Sequence, residues 1–356
     1  MKNKIFIISH STGIKGPIDY YEQYLLKKNI VYKLEHPLDL YKNKKTYFFV
    51  SGKVTQTFFR YNLNIFNLGI DFLISCFFLM KSKANIVIGA NNFDTLVAIM
   101  CKKLFFKQNI KKIVYFGSDF SQKRYNNKFL DYIYLKVEVI VLKGADLIVS
   151  NTKRAEQERF NLGLLKNKSL FISNGVHLEH PIFYKKEIDK NKYIYIGSVT
   201  KEHGLYEFIQ CMAPLIKELT IIGKGDSLND INILCKNKNI RLNKYVNYKH
   251  EEVLSFLKKF SGFGLAPYNM KSEWTRYCSP LKVNEYIACG LPVIMSNIPE
   301  ISQLIDKKKL GVVYSDLNYN AMKQQIIDFD TCKFYIKSRQ FYQLFEQDKL
   351  FKKIIL

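Results

Sequence analysis

Short, almost purely apolar runs recur through both halves of this 356-residue chain, each followed by a glycine-bearing or polar loop and then a helical period. Residues 4–9, 85–89, 112–116 and 145–150 are such runs in the first half, and 193–196, 219–222, 262–267 and 310–314 in the second. Strands of this composition are covered on both faces, the condition of a parallel sheet flanked by helices. The repetition predicts an α/β chain with two sheets facing across a cleft, each domain large enough for its own core. Segments 31–36 and 46–50 read as further strands, and 53–80 as largely helical. The most apolar part, 66–80, is interrupted by Asp71 and is shorter than a bilayer span, so it is expected as a buried or a membrane-touching helix.

The second half centres on residues 277–294, YCSPLKVNEYIACGLPVI, which read as loop, helix, turn and strand. Ser279 is expected to supply a cap oxygen and Pro280 to take the first helical position. Gly290 ends the helix in a left-handed cap, with Pro292 two residues on. A helix start of this kind presents free N–H groups and a positive dipole end, which suit a phosphate. Glu285 lies about one turn in, where a carboxylate can accept from a ribose diol, and Lys282 adds a cation close by.

The net charge is +24. It is uneven: residues 1–172 hold 28 Lys and Arg against 12 Asp and Glu, or +16, leaving +8 for the remainder. Two sources are open, an anionic partner such as a membrane face or phosphorylated lipid, and a compositional bias toward Lys, Asn, Ile, Phe and Tyr. No interleaved basic-aromatic motif points to nucleic acid. The seven cysteines are scattered without a Cys-x-x-Cys pair, as expected of thiols in a reducing cytosol rather than of disulfides or zinc. Residues 2–9 are too short an apolar run for a signal peptide.

The 277–294 block resembles the donor-binding segment of nucleotide-sugar glycosyltransferases with two Rossmann-like domains, the GT-B fold, nearest to the retaining family 4. That family commonly carries Glu-x7-Glu here; this chain has Glu285 at the second position and Tyr277 at the first. The resemblance implies that Tyr277, Ser279, Pro280, Leu281, Lys282 and Glu285 bind the donor. It extends to the Gly197 segment, where Ser198 replaces the family's arginine and His203 its lysine, with Lys201 as a nearby cation. It also covers the glycine turn at Gly223 and Gly225 and the nucleobase segment around Val246 and Tyr248.

In the first half the resemblance is looser. The loop holding Gly13, Lys15 and Gly16 lies beside donor phosphates and acceptor in relatives. His10 stands at the carboxyl end of the first strand, as a functional or a satisfied structural histidine. Asn91 and Asn92 are candidate acceptor contacts. Tyr115, Asp119, Phe120, Lys123, Arg124 and Tyr125 match a subgroup pattern. Asp119 is then the carboxylate to orient or deprotonate an acceptor hydroxyl, or else a helix cap. Lys123 and Arg124 are cations for an acceptor phosphate, or simply solvated.

The expected domains are 1–172 for the acceptor and 173–333 for the nucleotide-sugar, with a helical segment 334–356 packing back on the first. The resulting expectation is a cytoplasmic, peripherally membrane-associated hexosyltransferase-type enzyme of surface polysaccharide or glycolipid assembly. It would transfer a sugar with retention to a glycan or lipid-linked acceptor, without metal or cofactor. The substituted cations leave two alternatives open: a degenerate homologue that only binds nucleotide or a partner, and a nucleotide-sugar epimerase on the same architecture.

Overall fold

The computed structural model describes residues 3–11, 16–37, 45–59, 66–104, 110–118, 120–125, 127–176, 178, 181–182, 187–269 and 273–354. Asp119, Gly13 and Lys15 lie outside these. The chain divides into unit 1, Met1–Ile172 with Phe351–Leu356, and unit 2, Ser173–Leu350.

Unit 1 runs β1 (Lys4–Ser11), α1 (Pro17–Leu26), β2 (Ile30–Pro37), β3 (Lys45–Val50), β4 (Lys53–Phe59), α2 (Phe66–Ser82), β5 (Ile86–Gly89), α3 (Asn92–Leu104), β6 (Lys112–Gly117), α4 (Lys128–Gly144), β7 (Leu147–Ser150), α5 (Lys153–Asn161) and β8 (Ser169–Phe171). They form an eight-stranded sheet ordered β4-β3-β2-β1-β5-β6-β7-β8. From β2 to β8 the pairing is parallel. Segment 53–59 is a strand, not the start of a helix. Ser51 and Gly52 have φ 49° and 80°, the paired positive values of a two-residue turn, and fold β4 antiparallel onto β3. The helices α2, α3 and α4 pack side by side on one face of the sheet. Tyr21 of α1 stacks on Phe116 on the other, with the Phe351 ring tilted against it.

A charged network closes the interior of unit 1. The Arg159 and Glu138 side chains are fully buried and meet at 2.9 Å. Tyr115 Oη donates to Glu138 and accepts from Arg159, whose Nη1 donates to Ser150 Oγ at 2.8 Å.

Unit 2 runs β9 (Lys192–Ile196), α6 (Leu205–Met212), β10 (Glu218–Ile222), α7 (Leu228–Asn237), β11 (Arg241–Tyr245), α8 (His250–Lys259), β12 (Phe263–Ala266), α9 (Leu281–Ala288), β13 (Val293–Ser296), α10 (Ile301–Lys308), β14 (Gly311–Tyr314), α11 (Tyr319–Ile327), α12 (Thr331–Phe345) and α13 (Gln347–Phe351). The six-stranded sheet, ordered β11-β10-β9-β12-β13-β14, is parallel throughout. Its strand order reverses between β9 and β12, the switch point at which open α/β sheets bind ligands. The segment expected as one C-terminal piece divides: α12 packs on α9 within unit 2, and Phe351–Leu356 group with unit 1.

Candidate functional site

Loops at the carboxyl ends of β9, β10, β11 and β12 assemble one site in unit 2. Strands β9 and β12 pair only at Tyr193–Phe263 and Ile194–Gly264, and then part. The Tyr286 hydroxyl, from α9, fills the gap: it accepts from Ile196 N at 2.9 Å and donates to Leu265 O at 3.3 Å. Buried backbone groups orphaned by the parting strands are thereby satisfied, and α9 is pinned over the switch point. Tyr286 was legible as an apolar helix position but not as this bridge.

The start of α9 differs by one residue from the sequence expectation. Pro280, not Ser279, occupies the cap position, and no side chain caps the helix. The Ser279 carbonyl instead accepts from Asn174 Nδ2 at 2.7 Å, and Asn284 Nδ2 donates to Asn174 O at 2.7 Å. Residues at the start of unit 2 thus hold the loop that delivers α9. Its first N–H groups have no side-chain cap and suit an anion. At the other end Gly290 has φ 77°, the expected left-handed cap.

Glycine lets the loops stack on one another. A β-carbon on Gly223 would lie 1.9 Å from Gly197 O, and one on Gly225 2.1 Å from Val199 O. Backbone packs directly on backbone here, which no other residue permits. Gly197 faces Lys282, whose Nζ would stand 3.3 Å from a β-carbon on that glycine.

Lys282 is the cation of the site. Its Nζ lies 4.0 Å from the Tyr195 ring centroid and 5.6 Å from that of Tyr268. Among the described residues it makes no hydrogen bond or ion pair. Burial pushes it down to about 7, with Cys278 and Glu285 opposing only in part. His203 Nδ1 pairs with Thr200 Oγ1 at 2.8 Å, and the ring abuts Tyr268 and Trp274. Burial and then Lys282 push its value down to about 4, against the pull of Glu202, so it is neutral at pH 7 and supplies no second charge. Lys201 lies on the short turn before α6 and lines a surface cavity of about 290 Å³ with Tyr206, Ser227 and Asp230.

Glu285 projects three residues along α9 from Lys282, so the two share a helix face. Its buried carboxylate meets His250 Nε2 at 2.8 Å. His250 opens α8 within the expected nucleobase segment, but it is not itself singled out by the sequence. Its only signal there was its position after the β11 loop. Val246 and Tyr248 lie exposed on that loop, and Tyr277 is buried before α9.

The candidate residues of unit 1 divide. His10 lies at the carboxyl end of β1, beside the reversal of strand order between β1 and β5. Its Nδ1 meets Asp94 Oδ1 at 2.6 Å and its Nε2 meets Asp71 Oδ2 at 3.4 Å. Burial alone would lower His10, but Asp94 and Asp71 outweigh it and raise it to about 9. Both ring nitrogens then carry protons, so His10 holds a buried positive charge and is not a base at pH 7. The His36 ring lies tilted beside it, centroids 4.9 Å apart, and donates to or accepts from Ser75 Oγ at 2.9 Å. Asn91 and Asn92 are engaged at the start of α3: Asn91 Oδ1 accepts from Asp94 N at 2.9 Å, and Asn92 Oδ1 from Phe93 N at 2.8 Å. Gly16 caps α1, its N–H donating to Asp19 Oδ2 at 2.7 Å. Lys123 and Arg124 are exposed, with the Arg124 guanidinium over the Tyr134 ring.

Residues 193–355 match a family model described as the C-terminal domain of glucosyltransferase 3-like proteins. A protein of Klebsiella pneumoniae, described as an uncharacterized 41.2 kDa protein in the cps region, is 22% identical over 334 residues, 88% of this chain and 85% of its own length. Sucrose-phosphate synthase from Thermosynechococcus elongatus has a similar structure, with TM-score 0.75 and 16% identity over 99% of this chain and 97% of that one. Anabaena HepE, solved with UDP and glucose, has TM-score 0.70 and 12% identity over 99% and 98% of the two chains. The fold is that of the GT-B glycosyltransferases.

Proposed function

We propose that the protein transfers a hexose from a nucleoside-diphosphate sugar to a glycan or lipid-linked acceptor, with retention, in surface polysaccharide assembly at the inner face of the cytoplasmic membrane. The observation that carries this reading is the pairing of Lys282 and Glu285 on one face of α9, beside the glycine-stacked loops at the switch point of unit 2. HepE, of the same fold, is described in complex with UDP and UDP-glucose, which makes a uridine diphosphate sugar the first donor to test. The cps region of the Klebsiella relative favours a polysaccharide product.

In this reading the diphosphate sits against the first turn of α9 and Lys282. Its negative charge raises Lys282 back toward an ordinary lysine, and the resulting ammonium neutralises the leaving group as the glycosidic bond breaks. Glu285 accepts from the ribose hydroxyls, with His250 holding its second side. The nucleobase rests by Val246 and Tyr248. The acceptor is assigned to unit 1, where Asp119 orients or deprotonates its hydroxyl, and Lys123 and Arg124 meet an acceptor phosphate. His10 acts there as a fixed positive charge.

The test is UDP release from UDP-hexoses by the full chain, with glycan and lipid-linked acceptors. Glu285→Ala is expected to remove detectable turnover while the fold persists, and Asp119→Asn to lower turnover more than donor affinity. Unchanged kinetics in Glu285→Ala would overturn the assignment of the ribose site.

A further inference from the structure

The helical layer of unit 1 is apolar on the wrong side. A helix covering a sheet is expected to turn its polar face outward. On α4 the outward stripe is Phe129, Tyr132, Ile133, Lys136, Ile140 and Lys143, at helical spacing. Phe129 is 68% exposed, Tyr132 58% and Ile140 48%, while Val141 and Leu142 face the core. The neighbouring α2 repeats the pattern, with Leu73 67% and Phe77 54% exposed. Leu104 of α3, between them, is 62% exposed. In unit 2 the exposed large apolar residues stand one or two to a helix.

The exposed charge carried by these three helices is positive, and one of its lysines, Lys102, pairs with Asp146 just past α4 at 3.6 Å. α2, α3 and α4 together carry six lysines and four carboxylates. Asp71, Asp94 and Glu138 are buried. The fourth, Asp131, is half-buried and accepts from the backbone N–H groups of Arg124 and Tyr125. No exposed carboxylate therefore remains on these three helices. Lys136 lies over the Tyr132 ring at 5.2 Å, so the apolar and basic elements are interleaved rather than segregated. Among the described residues no helix is long and apolar enough to cross a membrane.

We propose that the outward face of α2, α3 and α4 seats on the surface of an anionic lipid bilayer. Aromatic and aliphatic side chains enter the headgroup boundary, and the lysines meet lipid phosphates. A protein partner would need a matching apolar surface rich in carboxylates; the bilayer provides both elements without one. This face serves the lipid-linked acceptor proposed above and rests on that reading for its purpose. Membrane binding itself is measured with no donor or acceptor present.

The experiment is flotation of the full chain with vesicles of phosphatidylcholine alone, and of phosphatidylcholine with a minority of phosphatidylglycerol. The wild type is expected to float with the anionic vesicles only, and less at high salt. Phe129→Ser with Tyr132→Ser and Ile133→Ser is expected to stay at the bottom. Lys136→Ala with Lys143→Ala is expected to weaken partition roughly thirtyfold. Both variants should keep the wild-type melting temperature and nucleotide response, which separates this face from the donor site. Equal flotation with neutral vesicles, flotation of the variants like wild type, or no flotation would each overturn the proposal. So would a dimer in solution that the triple variant dissociates without any vesicle binding, which would make a second copy the occupant.

Discussion

The Glu285 carboxylate, on α9, is held at 2.8 Å by Nε2 of His250, the first residue of α8. The residue assigned to the ribose is therefore positioned by a partner from the nucleobase segment. His250→Ala is expected to raise the donor KM roughly tenfold with little change in kcat, the loss of one hydrogen bond to a charged group. A fall in kcat at constant KM would contradict a positioning role.

Lys282 couples donor binding to protons. Its value of about 7 in the free protein lies below the ordinary lysine value of 10.5. A bound diphosphate raises it, so binding takes up a proton wherever the free lysine is partly neutral. Donor affinity is expected to fall as pH rises from 7 to 9, by at most about tenfold per pH unit. Calorimetry in two buffers of different ionisation enthalpy reads the proton uptake directly. Lys282→Arg, which stays charged across this range, should bind the donor without this dependence; an identical slope in that variant would exclude Lys282.

His10 couples the stability of unit 1 to pH as well. Its value is raised from 6.5 to about 9 on folding, after Asp94 and Asp71 overcome the effect of burial. The folded state therefore binds this proton more tightly than the unfolded state. The contribution is fully present below pH 6.5 and is lost as pH rises through 9. The stability difference between wild type and Asp94→Asn is expected to shrink over that window, with the His10 ring titrating near pH 9 by NMR in the wild type. A His10 titration near 6.5 would contradict the account. His36 is lowered by burial, so its own contribution is lost as pH falls and lies outside this window.

Arg159 and Glu138 are a buried pair whose partners cannot be removed singly without leaving a charge in the core. Glu138→Ala is expected to destabilise the protein by about 3–5 kcal/mol, read from urea unfolding. Gly117→Ala should also destabilise, because a β-carbon there would lie 2.6 Å from Arg159 Nη2. Stability unchanged in Glu138→Ala would mean that the network does not hold the unit together.

The sheets were legible because parallel strands must be apolar on both faces, and 4–9, 193–196 and 219–222 advertise that composition. The hairpin is obscured in the sequence because 53–59 is closely followed by the apolar helical period of 66–80. Ser51–Gly52 between two β-rich runs was the available signal. In the site, Lys282, Glu285 and the glycines were legible because their chemistry depends on local spacing. His250, Asn174 and Tyr286 were not, because each acts on a residue at least 35 positions away. His10 was singled out from the edge of its strand. Its neighbours Asp71 and Asp94 come from two separate helices, and only their convergence reveals that it carries a charge.

In the proposed function, unit 2 holds a nucleoside diphosphate on Lys282 and Glu285. The most direct measurement is a thermal-shift panel of UDP, GDP, CDP and ADP on the wild type, Glu285→Ala and Lys282→Met. Ligand at a hundredfold excess over its Kd should stabilise the folded protein by roughly 2.7 kcal/mol. The account predicts a shift with one nucleotide, UDP first, that both variants lose while keeping the unliganded fold. No shift with any nucleotide or intact sugar donor, or a shift that survives in both variants, would contradict it.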